Sequence, residues 1–272
     1  MGVPRSVLAC TVQGARSAPA VALLHGLGGQ KEAWFPLQRS LAATRRVLAP
    51  DHRGSGGSPR PDEGATLADF AADLWACLDR AGVGRSALVG HSFGSGVAIE
   101  AALAAPGRVT ALVLVSTAGA GPAADRVPGD PDAHAALREA ASLTAEGWRT
   151  RVIPHLFGPA FRKRRATRLD RLARLWAATP RDPAGLARQW RAWDAWDRWD
   201  DLPRLRLPVL VVHGSADTLA PLENARRYAA RIPGARLALL PGLGHYPQVE
   251  DPAALLGVVA PFLDAADPGA AR

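Results

Sequence analysis

The chain has 272 residues, of which 48% are hydrophobic and 21% are charged, so it is predicted to be one large globular domain, with or without an insertion, rather than a disordered or fibrous chain. It contains no run of about eighteen apolar residues, so no transmembrane helix is expected. The formal net charge of +8 comes almost entirely from arginine, because only two of the 33 basic residues are lysines. This bias is as typical of GC-rich codon usage as of a nucleic-acid-binding surface.

Short apolar runs rich in Val and Leu recur along the chain, and each is followed by a polar or glycine-containing loop. In chain order they occupy residues 20–24, 46–49, 86–89, 111–115, 208–212 and 236–240. Continuous apolar runs of this length are typical of buried parallel strands. The sequence therefore predicts a parallel β-sheet.

Amphipathic segments between these runs predict helices. The clearest one begins after Thr66, which forms a capping pair with Asp69, and ends at Gly82. Further helices are predicted to follow Trp34, Ser92, Pro221 and Pro252. Strands that alternate with helices indicate an α/β fold with a doubly wound sheet.

The alternation fails between residues 121 and 201, where helical patterns follow one another without an intervening strand. This block is predicted to be an inserted helical lid between two parts of an α/β core, residues 1–120 and 202–272. Six of the eight tryptophans lie in the lid. Four of them, three residues apart, are Trp190, Trp193, Trp196 and Trp199. On a helix, each three-residue step turns the side chain by about 60° relative to the previous one, so one face cannot hold all four tryptophans. Either some pack on the core and others face the pocket or solvent, or the helix ends early. We predict that Trp193 and Trp196 line the pocket.

The predicted lid also carries a cluster of seven basic residues. They are Arg162, Lys163, Arg164, Arg165, Arg168, Arg171 and Arg174. Most of them are three or four residues apart, so they are predicted to cover one side of a helix. A solvated helix face is the simplest interpretation, and docking of an acyl carrier protein is the alternative.

The strongest functional signal is Gly90-His91-Ser92-Phe93-Gly94, between a predicted strand and a predicted helix. A G-x-S-x-G pattern in this context is typical of a nucleophile elbow, in which a sharp turn projects the serine hydroxyl above the sheet. The two glycines are needed because a Cβ at either position would collide with the tight backbone. The amides at the start of the helix would face an oxyanion beside the serine. Ser92 is therefore the candidate nucleophile.

A serine nucleophile needs a general base that is oriented by a carboxylate. In this class of elbow the order along the chain is serine, acid, histidine. His245 is the one histidine after Asp217, and it follows the last predicted strand. Asp217 is the one acid between Ser92 and His245 that lies in a loop immediately after a predicted strand. The predicted catalytic triad is Ser92, Asp217 and His245.

Residues 25–29, His-Gly-Leu-Gly-Gly, follow the first predicted strand. The glycines allow the backbone to approach the reacting centre, so the amides of Leu27 and Phe93 are predicted to form an oxyanion hole. His25 and His91 are predicted to border the substrate pocket in a mainly structural role.

These motifs resemble those of the α/β-hydrolase superfamily along nearly the whole chain. The matching segments are residues 25–29, the run Asp51-His52-Arg53-Gly54-Ser55-Gly56-Gly57-Ser58, the elbow, Asp217 with Pro221, and His245. The chain looks most like the small capped esterases, enol-lactonases and cofactor-free haloperoxidase relatives. The resemblance implies an α/β-hydrolase fold with an inserted helical lid, and a serine hydrolase activity.

The expected reaction is hydrolysis of an ester, lactone or thioester of a hydrophobic small molecule, through an acyl-enzyme on Ser92. A serine instead of an aspartate at the elbow argues against epoxide hydrolase and haloalkane dehalogenase chemistry. Carbon–carbon bond hydrolysis, a lyase reaction or a biosynthetic tailoring step stays open, because the same fold and triad host them all. A ligand-binding receptor on this fold is a further alternative.

No metal or nucleotide motif is visible, so no cofactor is expected. Cys10 and Cys77 lack the spacing of a metal-ligand pair and are expected to be free thiols in a reducing compartment. We therefore expect a cytoplasmic protein that acts on a small molecule and has no nucleic-acid or membrane partner.

Overall fold

One sheet of seven strands runs through the part of the chain that the computed structural model describes, residues 7–117 and 127–267. The strands are β1 (Cys10–Gln13), β2 (Ala20–Leu24), β3 (Arg46–Pro50), β4 (Ser86–His91), β5 (Val109–Val115), β6 (Val209–Gly214) and β7 (Arg236–Leu240). Their order across the sheet is β1-β3-β2-β4-β5-β6-β7. β1 is antiparallel to β3, and all other neighbours are parallel.

The structure confirms the six strands that the apolar runs predict and corrects one property of the last. β7 is an edge strand, so it is not buried as predicted: Leu237 and Leu239 are 37% and 42% exposed. β1 was not predicted, because its four residues are half-buried or exposed and form no apolar run. It is defined by its pairing with β3 and not by its own sequence pattern.

Helices cover both faces of the sheet. In chain order they are α1 (Phe35–Leu41), α2 (Leu67–Arg80), α3 (Phe93–Ala104), α4 (Pro131–Arg138), α5 (Ala145–Gly147), α6 (Ile153–Leu156), α7 (Pro159–Arg164), α8 (Ala166–Ala178), α9 (Pro183–Asp194), α10 (Leu222–Arg231), α11 (Pro247–Glu250) and α12 (Pro252–Ala266). Apolar side chains of α2, α3 and α10 share one buried cluster, and those of α1 and α12 share a second. In β4, Leu88 belongs to the first cluster and Val89 to the second. Because successive strand residues point to opposite faces, this is a doubly wound sheet.

Between β5 and β6 the described residues form α4 to α9 and no strand; we call these six helices the lid helices. The predicted start of the lid at residue 121 lies outside the described residues. α9 ends at Asp194, before Trp196, so the four tryptophans do not share one helix. The basic cluster does not lie on one helix as predicted, because the backbone leaves helical geometry at Arg165, where φ is −124°.

The described residues contain no helix that is long and apolar enough to cross a bilayer. No group of three or more His, Cys, Asp or Glu side chains in the described residues is arranged to hold a metal ion. Cys10 and Cys77 are both free and half-buried.

Candidate active site

Ser92 stands at the tip of a sharp turn between β4 and α3. Its φ is 52°, which non-glycine residues rarely adopt, and its amide donates to the Val115 carbonyl at 2.9 Å. A Cβ on Gly90 would lie 2.3 Å from the carbonyl oxygen of Gly94. A Cβ on Gly94 would lie 2.3 Å from the carbonyl oxygen of Leu24. Close packing of the turn therefore requires both glycines, as the sequence predicts.

Asp217 and His245 meet beyond the ends of the neighbouring strands β6 and β7. The Nδ1–H of His245 donates to Oδ2 of Asp217 at 2.8 Å. The other carboxylate oxygen accepts the amides of Leu219 and Ala220 at 3.0 and 2.9 Å. These bonds hold the buried carboxylate in one orientation. Because Nδ1 of His245 carries the proton, its Nε2 lone pair is available to act as a base.

Two buried groups hold the loop that carries His245. The Nε2–H of His91 donates to the His245 carbonyl at 2.8 Å, and burial lowers the pKa of His91 well below its ordinary value, so the ring stays neutral. The carboxylate of Glu250 accepts the Gly244 amide at 2.8 Å and the Gly158 amide at 3.1 Å. Gly158 directly precedes α7, so Glu250 links the His245 loop to the lid helices.

The loop after β2 is also held by buried groups. The Nδ1–H of His25 donates to the Gly26 carbonyl at 2.7 Å, and its Nε2 accepts the His52 amide at 3.0 Å. Burial lowers the pKa of His25, which is consistent with this neutral tautomer. From the lid side, Oε1 of Gln189 on α9 accepts the Gly28 amide at 3.0 Å. The backbone on either side of Leu27 is therefore fixed.

The amides of Leu27 and Phe93 are available to a ligand. Both residues line the same cavity as Ser92. Phe93 is the first residue of α3, so its N–H has no acceptor within the helix. The N–H of Leu27 has no acceptor among the described residues.

Ser92, His245 and these two amides border one cavity of about 500 Å³. Its walls are largely apolar, and many of the wall residues come from the segment between β5 and β6: Leu137, Trp148, Leu172, Trp176, Trp190 and Trp193. Within the described residues no hydrogen bond joins the Ser92 hydroxyl to His245. Such catalytic hydrogen bonds often form only when a substrate is bound.

The cavity contains two of the four predicted pocket residues, His91 and Trp193. The other two, His25 and Trp196, do not line it, which corrects the prediction. Both ring nitrogens of His25 bond to backbone groups. The indole N–H of Trp196 donates to Glu100 on α3 at 2.8 Å, and its ring stacks on Trp193 with centroids 5.4 Å apart. Trp196 therefore packs between the lid and α3.

Three residues that the structure places at or beside the site are not predicted from the sequence: Arg181, Gln189 and Glu250. For Gln189 a signal exists, because it interrupts the apolar face of α9 between the buried Leu186 and Trp193. No sequence pattern indicates a role for Arg181, because its neighbours Pro180 and Asp182 are typical of an ordinary polar loop.

Comparisons with known proteins match the chain to one family. A family model described as alpha/beta hydrolase fold matches residues 19–252. A 2-hydroxymuconate semialdehyde hydrolase of Pseudomonas sp. (strain CF600) is 31% identical over 275 residues, which cover 91% of this chain and 88% of that protein.

Solved structures show the same architecture. The enol-lactonase from Burkholderia xenovorans LB400 matches with a TM-score of 0.83 and 26% identity, over 96% of this chain and 98% of that chain. A thermophilic esterase from Thermogutta terrifontis matches with a TM-score of 0.79 and 27% identity, over 95% of this chain and 93% of that chain.

Proposed function

Because the chain belongs to the α/β-hydrolase superfamily and is a hydrolase of that fold, we propose that it is a serine hydrolase acting on a carboxylic ester, lactone or thioester of a hydrophobic small molecule. One observation carries the proposal: Ser92, at its strained turn, and His245, bonded to Asp217, line the same cavity. The similarity to an enol-lactonase and an esterase supports an acyl substrate.

The first half of the proposed reaction forms an acyl-enzyme. The Ser92 hydroxyl oxygen attacks the carbonyl carbon, and its proton passes to Nε2 of His245. Asp217 stabilises the resulting imidazolium through Nδ1–H. The carbonyl oxygen becomes an oxyanion that accepts the amides of Leu27 and Phe93, and each such donor contributes about 3 kcal/mol to the transition state. The intermediate then expels the alcohol or thiol, which takes the proton from His245.

The second half returns the free enzyme. A water molecule attacks the acyl carbon while Nε2 of His245 takes one of its protons. The same two amides hold the second oxyanion. The carboxylic acid leaves, and the Ser92 oxygen recovers its proton from His245. No group outside the described site is needed for the proton balance.

The apolar walls of the cavity support the proposal that the substrate is hydrophobic. Four tryptophans and several leucines line the space above Ser92. Burying an apolar group against such walls contributes about 25 cal/mol for each Å² removed from water. Pockets of this kind hold the body of a ligand by apolar contact and orient it with a few polar groups.

Hydrolysis of p-nitrophenyl esters and simple lactones tests the proposal. We expect Ser92→Ala to lower kcat by about 10⁶-fold, because the covalent intermediate cannot form. Ser40→Ala is the matched control, since this exposed serine of α1 lies outside the cavity, and it should keep wild-type activity. A Ser92→Ala protein with activity within about tenfold of wild type would exclude the proposed mechanism.

Covalent labelling gives an independent test. A fluorophosphonate reacts with an activated serine hydroxyl, so we expect one adduct per chain, on the peptide that contains Ser92. The label should be absent in the Ser92→Ala protein. An adduct on another serine, found by mass spectrometry of the active protein, would contradict the assignment.

A further inference from the structure

Arg181 brings a positive charge into the cavity that Ser92 borders. It lies between α8 and α9 and lines the cavity. One terminal nitrogen donates to the carbonyl of Trp176, and to that of Thr179 at 3.3 Å. The guanidinium carbon lies 4.7 Å from the ring centroid of Trp148. The charge is thus held at the cavity wall by backbone carbonyls and one aromatic face.

No acidic side chain compensates this charge in residues 7–117 and 127–267. Burial lowers the pKa of Arg181 below its ordinary value, and no carboxylate opposes that shift. Its buried Nε has no hydrogen-bond partner among the described residues. An unpaired cation in apolar surroundings is costly, and it is stabilised by any anion that enters the same space.

The other charged residues of the cavity do not meet this need. Glu32 forms an ion pair with Lys31 at 3.1 Å. Arg168 is exposed, and it donates to the Val249 carbonyl at 2.9 Å. Among the described wall residues, the hydroxyl of Tyr246 is the one ionisable group that interacts with the charge of Arg181, and it stays protonated because burial raises its pKa to about 12. The space beside Arg181 therefore favours an anionic group of a ligand.

We propose that Arg181 binds a carboxylate of the substrate, so that the preferred substrates are acyl compounds with an apolar body and an anionic end remote from the bond that is cleaved. A guanidinium suits this role because its planar array of donors matches a carboxylate. The substrate class rests on the proposed ester hydrolysis, whereas carboxylate binding by Arg181 does not.

A purely structural role makes a different prediction. Trp176 and Thr179 lie at the C-terminal end of α8, so Arg181 also caps that helix. Loss of a cap would change the turnover of charged and neutral substrates alike. A matched pair of substrates that differs in charge alone separates the two roles.

The first experiment compares p-nitrophenyl hydrogen adipate, which ends in a carboxylate, with its neutral methyl ester. We expect the wild-type protein to prefer the acid. Arg181→Gln should lower kcat/KM for the acid by about 10- to 100-fold more than for the neutral ester, the value of a charge-assisted hydrogen bond. Arg181→Lys should keep part of the preference. Arg174→Gln, an exposed arginine of α8, is the control and should keep all of it.

Equal loss of kcat/KM for both esters in Arg181→Gln would overturn the proposal, and so would a wild-type protein without preference for the acid at any chain length. Half-esters of succinic and glutaric acid extend the series to shorter spacings between the carboxylate and the ester. Circular dichroism of each variant identifies any that fails to fold, and Arg181→Lys then carries the comparison.

A binding measurement separates this proposal from the proposed function. Calorimetry with the Ser92→Ala protein should detect monomethyl adipate and not dimethyl adipate, and Arg181→Gln should abolish the difference. Such binding without wild-type turnover of any ester would support the carboxylate site and overturn ester hydrolysis. Turnover of neutral esters without Arg181-dependent binding would overturn the carboxylate site alone.

Discussion

Gln189 offers a sharp test of how the lid supports catalysis. Its side chain is 0% exposed and bonds to three groups of the core. Oε1 accepts the Gly28 amide at 3.0 Å. Nε2 donates to the Arg53 carbonyl at 2.5 Å and to the Ser55 hydroxyl at 3.0 Å. Because Gly28 follows Leu27, a residue of α9 holds the loop that supplies one proposed oxyanion donor.

Gln189→Leu keeps a similar volume and removes all three bonds. The substitution would leave the Arg53 carbonyl and the Ser55 hydroxyl without a hydrogen-bond partner. Each buried polar group left without a partner costs about 1–3 kcal/mol of stability. Water from the cavity can replace the partner of Gly28. We therefore expect the free energy of unfolding to fall by about 3 kcal/mol. Loss of a whole oxyanion donor costs about 10²–10³-fold in kcat, so a displaced Leu27 amide should cost about tenfold.

The assay is kcat and KM with p-nitrophenyl acetate, together with urea unfolding followed by circular dichroism. KM should stay close to the wild-type value, because Gln189 does not line the cavity. Gln189→Glu is the matched variant: it keeps an acceptor for the Gly28 amide but loses the donor to Arg53 and Ser55. It should be destabilised and yet retain kcat. A folded Gln189→Leu protein with kcat within about twofold of wild type would refute this reasoning.

Three further predictions follow from the packing. Trp193→Ala should lower kcat/KM for a bulky ester by about 10- to 100-fold. Trp196→Ala should leave kcat/KM unchanged and lower the free energy of unfolding, measured by urea titration, by about 3–5 kcal/mol. Gly94→Ala should abolish soluble folded protein, because its Cβ would lie 2.3 Å from the Leu24 carbonyl oxygen; normal expression and circular dichroism would contradict this. Burial lowers the pKa of five histidines below the ordinary value of 6.5, so the unfolded chain binds more protons than the folded chain as the pH falls. The melting temperature should therefore fall between pH 7 and pH 5, and a flat profile would contradict the prediction. These residues are His25, His52, His91, His134 and His213.

Local sequence patterns were sufficient to predict six of the seven strands. β2 to β6 appear as apolar runs, because a strand buried on both faces needs apolar side chains in succession. β7 is also an apolar run, although it lies at the edge of the sheet and is partly exposed. The elbow is recognisable from five consecutive residues. Gly90 is required by a contact within the turn, whereas Gly94 is required by the close approach of the Leu24 carbonyl of β2. The placement of Ser92, Asp217 and His245 at one edge of the sheet could be predicted because each one follows a strand, and parallel strands end at the same edge.

The contents of the pocket were decided by tertiary packing. Trp193 and Trp196 have the same residue type and nearly the same burial, yet only Trp193 lines the cavity, because α9 ends between them. Gln189 and Gly28 bond across 161 residues. Arg181 reaches the cavity because the loop between α8 and α9 lies at its wall, a placement that no periodic pattern in the local sequence indicates. Contacts between segments so distant along the chain depend on how the lid helices lie on the sheet, and that arrangement is set by the summed burial of many side chains and not by any one sequence pattern.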